Sequence, residues 1–308
     1  MQQASTAGTA VQRLTWRRMR PKTVIPYLFV GPQLLLILIF VVRPLFEVAR
    51  LSFHRWILSL GGNATYAGLQ NYRELLQDEL FRKALTNTAI YVLVSVPASI
   101  LVGFLFALTL NQPLGRATVF FRSAFYVPVV VPSVVVALIW QFMLNARGGI
   151  VNAGLARVGL PEPDWFTNPH YAMLGVILAS VWQQAGFMMV LYLAGLQGIP
   201  RVFHEAAAVD GANGLQRLIG ITIPLLTPTT LFVCVVGVIN GFKVFDQVYV
   251  MTGGGPANGT TTIVQYLFTQ AFEFFDVGRG AAAAMVLLGI LGLLTAVLML
   301  IGGKEVEY

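Results

Sequence analysis

The stretch from Ile199 to Pro228, IPRVFHEAAAVDGANGLQRLIGITIPLLTP, is the most distinctive polar passage in this 308-residue chain. Pro200 suits the first turn of a helix, because its missing N–H costs nothing there. Gly211 suits the left-handed residue that ends a helix, and Asn213 with Gln216 three residues later resembles a relaxed capping box. The passage therefore predicts a short helix, a glycine turn and a second helix that runs into the next apolar segment.

The composition places this chain in a lipid bilayer. It is 56% hydrophobic and 11% charged, with a mean hydropathy of +0.73, whereas soluble domains carry about 25% charged residues. The net charge of +7 does not indicate a nucleic-acid partner, because the basic residues form no patch interleaved with aromatic residues. The single cysteine, Cys234, lies in an apolar segment, which argues against a disulfide or a cysteine metal site.

Six segments are long and apolar enough to cross a membrane, since a spanning helix needs about 20 largely apolar residues. They lie within windows free of Asp, Glu, Lys and Arg, namely Thr23–Val42, Ala84–Gly115, Ser123–Ala146, Trp165–Pro200, Leu218–Phe242 and Gly280–Gly303. A seventh window, Gln247–Phe272, is broken by the turn signals Gly253-Gly254-Gly255-Pro256 and Asn258-Gly259-Thr260. The expected fold is all-α, a polytopic membrane protein with six transmembrane helices in one domain over residues 23–303.

The distribution of basic residues predicts the orientation. Five of them precede the first apolar run: Arg13, Arg17, Arg18, Arg20 and Lys22. By the positive-inside rule, the basic tail 1–22 is cytoplasmic. An even number of spans then places the tail 304–308 and the loop at 199–228 on the same side. No cleavable signal peptide is expected, because the first apolar run has full span length and no small-residue cleavage site close behind it.

The sequence of this loop resembles a motif of a known family. Glu205-Ala206-Ala207, followed by Asp210-Gly211-Ala212, Ile221, Pro224 and Pro228, resembles the EAA loop of ABC-importer permeases, with Leu218 where the family usually has Phe. Further segments extend the resemblance to the carbohydrate-uptake branch typified by the maltose and glycerol-3-phosphate permeases (MalF/UgpA-like): Pro26–Phe53, Gly68–Tyr72, Phe125–Asn145, Val181–Pro200 and Phe245–Pro256. The resemblance implies the ABC type I importer permease (MetI-like) fold.

The resemblance also implies a set of partners and a location. The chain would pair with a second homologous permease, with two ATPase subunits that bind ATP and Mg, and with an extracytoplasmic solute-binding protein, in a bacterial or archaeal inner membrane. It would bind no cofactor or metal and carry no catalytic residue itself. The residues expected to couple the loop to the ATPases are Glu205, Ala206, Ala207, Asp210 and Gly211.

Polar residues at membrane depth are costly and usually face a cavity or a partner. This cost favours Gln184 and Asn240 as solute contacts, with Phe187 as a nearby aromatic face. The resemblance to the family implies a substrate pathway around Gln183, Gln184, Phe187, Gly237, Asn240, Gly241 and Val244. Hydrogen bonding between helices is the alternative role for the polar members. Lys243 and Asp246, three residues apart, are expected to form an ion pair within the membrane or at its interface.

Three other classes of protein are alternatives for this chain. A membrane enzyme is disfavoured, because His54, His170 and His204 are scattered over loops and there is no GxSxG elbow or phosphate-binding GxxxxGK[ST]. An ion-coupled secondary transporter would need carboxylates inside the spans, and the charge-free windows contain none. A permease of the amino-acid or peptide branch remains the nearer alternative. The sequence leaves open which sugar or sugar-like solute is carried.

Overall fold

The computed structural model describes residues 21–58, 61, 63–112 and 115–302, without the side chains of residues 21–27 and Arg116. The greater part of both predicted tails lies outside the described residues. A two-residue antiparallel pair, β1 and β2, sets His54 opposite Tyr66. The elements in chain order are α1 Pro21–Ile37, α2 Arg43–Ser52, β1 His54–Arg55, β2 Thr65–Tyr66, α3 Gln70–Gln77, α4 Glu79–Leu110, α5 Arg116–Val130, α6 Ser133–Met143, α7 Ile150–Arg157, α8 Pro169–Gly198, α9 Arg201–Val209, α10 Gly214–Arg217, α11 Ile223–Leu225, α12 Thr227–Phe242, α13 Asp246–Met251, α14 Ile263–Phe268 and α15 Val277–Gly302.

Among the described residues, four helical stretches are long and apolar enough to cross a membrane without interruption: Leu28–Ser52, Glu79–Leu110, Pro169–Gly198 and Val277–Gly302. Two bent pairs, Ala117–Val130 with Ser133–Met143 and Gly214–Leu225 with Thr227–Phe242, bring the number to six if each pair is one span. The all-α polytopic fold is therefore confirmed. The window Gln247–Phe272 is broken into short helical segments, α13, α14 and a π-helical turn at Thr269–Glu273, as its turn signals predict.

The third predicted span is not one straight helix, since α5 and α6 meet at 101°. Pro132 has no N–H, and a residue that precedes proline is driven out of the helical region. Val131 accordingly adopts an extended conformation, with φ −72° and ψ 132°. Helix α6 then restarts with Val135 N and Val136 N both donating to Pro132 O, at 2.9 and 3.1 Å.

The fifth span bends by 63° around Leu226 for a related reason. Pro228 offers no N–H to the carbonyl of Pro224, four residues earlier. The hydroxyl of Thr227 donates to that carbonyl instead, at 2.8 Å. Both bends therefore lie at prolines. The charge-free windows run across these prolines and so do not reveal the bends.

The chain divides into two compact units within α2, one of residues 1–47 and one of residues 48–308. The single transmembrane domain over residues 23–303 stays a prediction. In the first unit, the side chains that the structure describes are exposed or half-buried. Lipid can cover such side chains, so this unit needs no buried protein core of its own.

The second unit holds two clusters of buried apolar side chains. The larger includes Phe81, Tyr91 and Tyr266 and lies along the first half of α4. The smaller includes Met188 and Tyr192 and lies along the second half of α4. Helices α4 and α8 contribute to both clusters, so this helix pair is the frame on which the other elements pack.

A polar cluster joins the start of α4, helix α14 and the start of α15. Asp78 caps α4 by accepting from Leu80 N at 2.8 Å, and its other carboxylate oxygen accepts from Tyr266 Oη at 2.7 Å. Arg279 Nη1 lies 4.0 Å from the same oxygen. Burial, followed by the hydrogen bond to Asp78, raises the pKa of Tyr266 above its ordinary value, so the phenol stays neutral and remains a donor.

The GLxNY element, Gly68 to Tyr72, holds the chain that follows α2. Asn71 Nδ2 donates to Ser52 O at 2.8 Å and to His54 O at 2.9 Å. The phenol of Tyr72 donates to the hydroxyl of Ser52 at 2.7 Å. The element fixes this connection by side-chain to main-chain bonds, which is how an irregular segment satisfies its buried polar groups.

Candidate functional site

The loop at 199–228 contains a short helix with defined ends. Helix α9 spans Arg201–Val209. Pro200, which the sequence places in the first turn, is the extended N-cap residue immediately before Arg201. At the other end, Gly211 N donates to Ala208 O at 3.1 Å and Ala212 N donates to Ala207 O at 2.9 Å. These two bonds define a Schellman motif, whose left-handed residue is usually glycine. Gly211 occupies that position with φ +81°.

The predicted capping box opens α10. Asn213 Oδ1 accepts from Gln216 N at 2.9 Å, and Gln216 Oε1 accepts from Asn213 N at 2.8 Å. Such a pair satisfies two main-chain donors that the first helical turn leaves free. The glycine turn is therefore bounded by a closed helix end on one side and a capped helix start on the other.

Helix α9 presents an exposed surface that mixes acidic and apolar groups. Glu205, Ala206, Asp210 and Gly211 are exposed, and Ala207 is half-buried. Neither Glu205 nor Asp210 makes a side-chain hydrogen bond or ion pair within the part of the chain that the structure describes. Two valines on the same helix are also uncovered, Val202 at 62% and Val209 at 88% exposure. A short helix with unpaired carboxylates and exposed apolar side chains is suited to a groove in another protein.

A cavity of about 340 Å³ lies between the end of α5, the start of α6, and helices α4, α8, α12 and α13. Its volume falls within the range of small-molecule sites, about 300–1,000 Å³. The lining residues are Tyr91, Val129, Ser133, Gln183, Gln184, Phe187, Asn240, Lys243, Val244, Phe245, Asp246 and Gln247. Five of the seven residues predicted for the substrate pathway are therefore brought together here, although they come from two helices and a connecting turn.

The lining combines neutral amides, aromatic rings and one charge of each sign. Gln184 and Asn240 offer donors and acceptors, and Phe187 offers an apolar ring. Phe245 is held in place by Tyr249 and Phe268, with ring centroids 5.1 and 5.0 Å away. In the described parts of the chain, no three His, Cys, Asp or Glu residues are placed to hold a metal ion.

The predicted ion pair between Lys243 and Asp246 is not formed, since the residues that the structure describes include no contact between them within 4.0 Å. A separation of three residues brings side chains together only on one helix. Here α12 ends at Phe242, and Asp246 begins a new helix after the turn at Val244 and Phe245. Both charged residues are exposed and line the cavity instead.

Gly237 and Gly241 lie away from the cavity lining, in the contact between α12 and α4. A Cβ on Gly237 would lie 2.8 Å from Val96 Cγ1, and one on Gly241 would lie 3.0 Å from Val92 Cγ2. Both glycines are buried. Their small size allows close approach of the two helices, which is the common use of glycine between membrane helices.

Five lining residues were not singled out from the sequence: Tyr91, Val129, Ser133, Phe245 and Gln247. Gln247 could have been identified from the sequence, because it is a polar residue beside Asp246 at the end of the fifth span. Tyr91 and Val129 belong to apolar runs in which nothing distinguishes them from lipid-facing residues. Ser133 enters the lining because the chain turns at Pro132, which a hydropathy window does not reveal.

Comparison with known proteins identifies the family. A family model described as "Binding-protein-dependent transport system inner membrane component" matches residues 82–303. The probable ABC transporter permease protein YurN of Bacillus subtilis is 38% identical over 269 residues, which cover 86% of this chain and 91% of the relative. The sn-glycerol-3-phosphate transport system permease protein UgpA of Agrobacterium fabrum is 33% identical over 289 residues, which cover 94% of this chain and 98% of the relative.

A solved structure supports the same fold. A chain of a bacterial ABC transporter involved in the import of alginate aligns with a TM-score of 0.80 at 23% identity, over 93% of this chain and 97% of the other. This likeness concerns the fold alone, whereas the family match and the sequence relatives concern descent. The chain belongs to the family of binding-protein-dependent transport system inner-membrane components, the permease subunits of ABC importers, and is a transport subunit rather than an enzyme.

Proposed function

We propose that this permease carries a sugar or sugar-like solute and forms half of the translocation pathway with a second permease. Support comes from relatives whose names specify such solutes, among them the UgpA protein of Agrobacterium fabrum, named for sn-glycerol-3-phosphate. The alginate importer, named for an acidic polysaccharide, shares the fold. The observation that carries the proposal is the cavity, where Gln184, Phe187 and Asn240 face one space. Amides can bond hydroxyl groups and a ring can cover a sugar's apolar face.

The partner ATPases act on the permease through helix α9. Its exposed surface docks into an ATPase groove, where Glu205 makes a charge-assisted contact and the alanines allow close approach. Asp210 shapes the turn or adds a second polar contact, and Gly211 permits the Schellman motif. ATP and Mg are bound by the partners, and ATP-driven closure swings the spans between inward- and outward-facing states. This arrangement requires α9 and both chain termini to be cytoplasmic.

Reconstitution tests the solute class. The permease, its partner permease and its ATPase subunits would be placed in proteoliposomes with the cognate binding protein and radiolabelled maltose, sn-glycerol-3-phosphate, histidine or a dipeptide. We expect ATP-dependent uptake of one of the first two compounds. Uptake of histidine or the dipeptide would assign this permease to the amino-acid or peptide branch of importers. Uptake driven by a proton or sodium gradient without ATP would overturn the importer mechanism.

Replacing Gly211 with Leu should weaken the assembly with the ATPase subunits. A residue with a Cβ is strained at φ +81°, and the left-handed conformation costs such a residue about 1–2 kcal/mol. Among the described residues, no atom lies within 4 Å of the position of the added Cβ, so the effect comes from the main chain and not from a clash. Co-purification of the ATPase subunits with the tagged permease measures it. Gly211→Asn is the matched control, because asparagine tolerates this conformation, and equal recovery with Leu and Asn would contradict the prediction.

Replacing Gln184 or Asn240 with Ala should raise the KM for solute uptake while ATPase assembly persists. Each substitution removes an amide from the cavity lining, and a lost hydrogen bond of about 1 kcal/mol corresponds to a roughly fivefold change in KM. Uptake rates over a range of concentrations of the bound solute measure it. Gln197→Ala, an exposed glutamine on α8 outside the lining, is the control. Unchanged KM in both cavity variants would remove these residues from the solute site.

A further inference from the structure

Gln183 differs from its neighbour Gln184 in how its side chain is used. Gln183 is 8% exposed, and its amide nitrogen donates to Val131 O at 3.0 Å and to Ser133 Oγ at 3.4 Å. Its amide oxygen accepts from Gln247 Nε2 at 2.7 Å. Gln184, in contrast, makes no side-chain hydrogen bond within the described residues. The amide of Gln183 is therefore already occupied by protein, whereas the amide of Gln184 is free for a solute.

The bond to Val131 meets a need that the broken helix creates. In a continuous helix, the carbonyl of Val131 would accept from the N–H of Val135. Val135 N donates to Pro132 O instead, so the Val131 carbonyl is left without a partner in its own helix. Gln183 supplies that partner from α8, at the point where α5 and α6 meet at 101°. An unsatisfied carbonyl in apolar surroundings would be costly.

The bond from Gln247 extends the connection to a third element. Gln247 is buried at 7% exposure and lies on α13, the helix that follows the fifth span. Gln183 thus joins the break between α5 and α6, the middle of α8 and the start of α13. These segments also contribute most of the cavity lining. A change at Gln183 would therefore change the shape of the cavity through its neighbours.

We propose that Gln183 is a positioning residue that does not contact the solute. It holds the α5–α6 break and α13 against α8, and this arrangement sets the width of the cavity and the relative position of two bent spans. The inference rests on the proposed translocation pathway. It assigns to Gln183 a role distinct from the solute contact predicted for it from the sequence, and it leaves that contact to Gln184 and Asn240.

The test replaces Gln183 with Met, which has a similar length and no hydrogen-bonding amide. Hydrogen exchange is measured by mass spectrometry on the whole importer complex, without solute. We expect exchange over residues 129–137 and 244–251 to accelerate about tenfold, with residues 79–85 unchanged. Gln184→Met is the matched control and should leave exchange in all three segments unchanged. Equal exchange in the Gln183→Met variant and the wild-type complex would overturn the inference.

Transport kinetics separate positioning from solute contact. For Gln183→Met we expect the maximal uptake rate to fall about tenfold with KM within about twofold, whereas Gln184→Met should mainly raise KM. A raised KM with a retained maximal rate in Gln183→Met would make Gln183 a solute ligand and overturn the inference. Gln247→Met, which removes one of the bonds, should show the same pattern more weakly, and combining it with Gln183→Met should add little. Failure of the wild-type complex to take up solute would count against the proposed function. The hydrogen-exchange measurement would still test the positioning role of Gln183.

Discussion

Solute uptake is expected to fall to background when Glu205 is replaced with Lys. The carboxylate lies exposed on α9 and has no side-chain partner within the described chain, so it is free for an ATPase. Reversing its sign removes a charge-assisted contact and places like charges together, at a cost of about 3 kcal/mol, or roughly 100-fold in affinity. ATP-driven uptake in proteoliposomes and co-purification of the ATPase subunits measure the two consequences.

The chain should still reach the membrane in this variant, because Glu205 makes no side-chain hydrogen bond or ion pair with the described residues. Glu162→Lys provides a matched control. It makes the same charge change at another exposed glutamate, on the connection between α7 and α8. Wild-type uptake by Glu205→Lys would refute the proposed coupling role of α9. An equal loss of uptake in both variants would show that the charge change itself, and not the position of Glu205 on α9, causes the loss.

Replacing Gly186 with Leu is expected to prevent accumulation of the folded permease. Gly186 lies on α8, where an added Cβ would overlap the main-chain carbonyl oxygen of Phe125 and lie 3.0 Å from Val129 Cγ2. A main-chain atom of α5 cannot rotate away as a side chain can, so the two helices would have to separate. Overpacking of this kind costs about 1–3 kcal/mol and more where the backbone must move.

The yield of monodisperse protein in detergent and its thermal unfolding midpoint measure this effect. Gly289→Leu is the control, since Gly289 is a helical glycine of α15 and no atom of the described chain lies within 4 Å of the added Cβ. We expect the control to be recovered at the wild-type level. Recovery of Gly186→Leu at the same level and with the same midpoint would show that α5 and α8 are not packed as described.

The sequence predicted the local features well where the signal lies within a few residues. The Schellman turn at Gly211 and the capping box of Asn213 and Gln216 depend on neighbouring main-chain groups, so the residues themselves specify them. The apolar windows predicted helices of spanning length, because hydropathy sums over a window and tolerates local irregularity. Because hydropathy is summed over a window, it did not reveal the break in the helix at Pro132.

The cavity residues were predicted less well, because their placement depends on which helix faces which. Gly237 and Gly241 share a helix with Asn240, yet they pack against α4 while Asn240 faces the cavity. Lys243 and Asp246 have the spacing of a helical ion pair, but the chain turns between them. No window of a single sequence contains this information.

The residues alone predicted that the chain is a membrane protein, where its apolar segments lie, and where the glycine turn after α9 lies. These properties arise from hydropathy and from hydrogen bonds between near neighbours in the chain. Only the tertiary structure decided that the third and fifth apolar segments bend, that Gln183 bonds to Val131 and Gln247, and that Gln184 and Asn240 share one cavity. Those contacts join residues about 50 or more positions apart, and packing between helices, not the order of residues within one, brings them together.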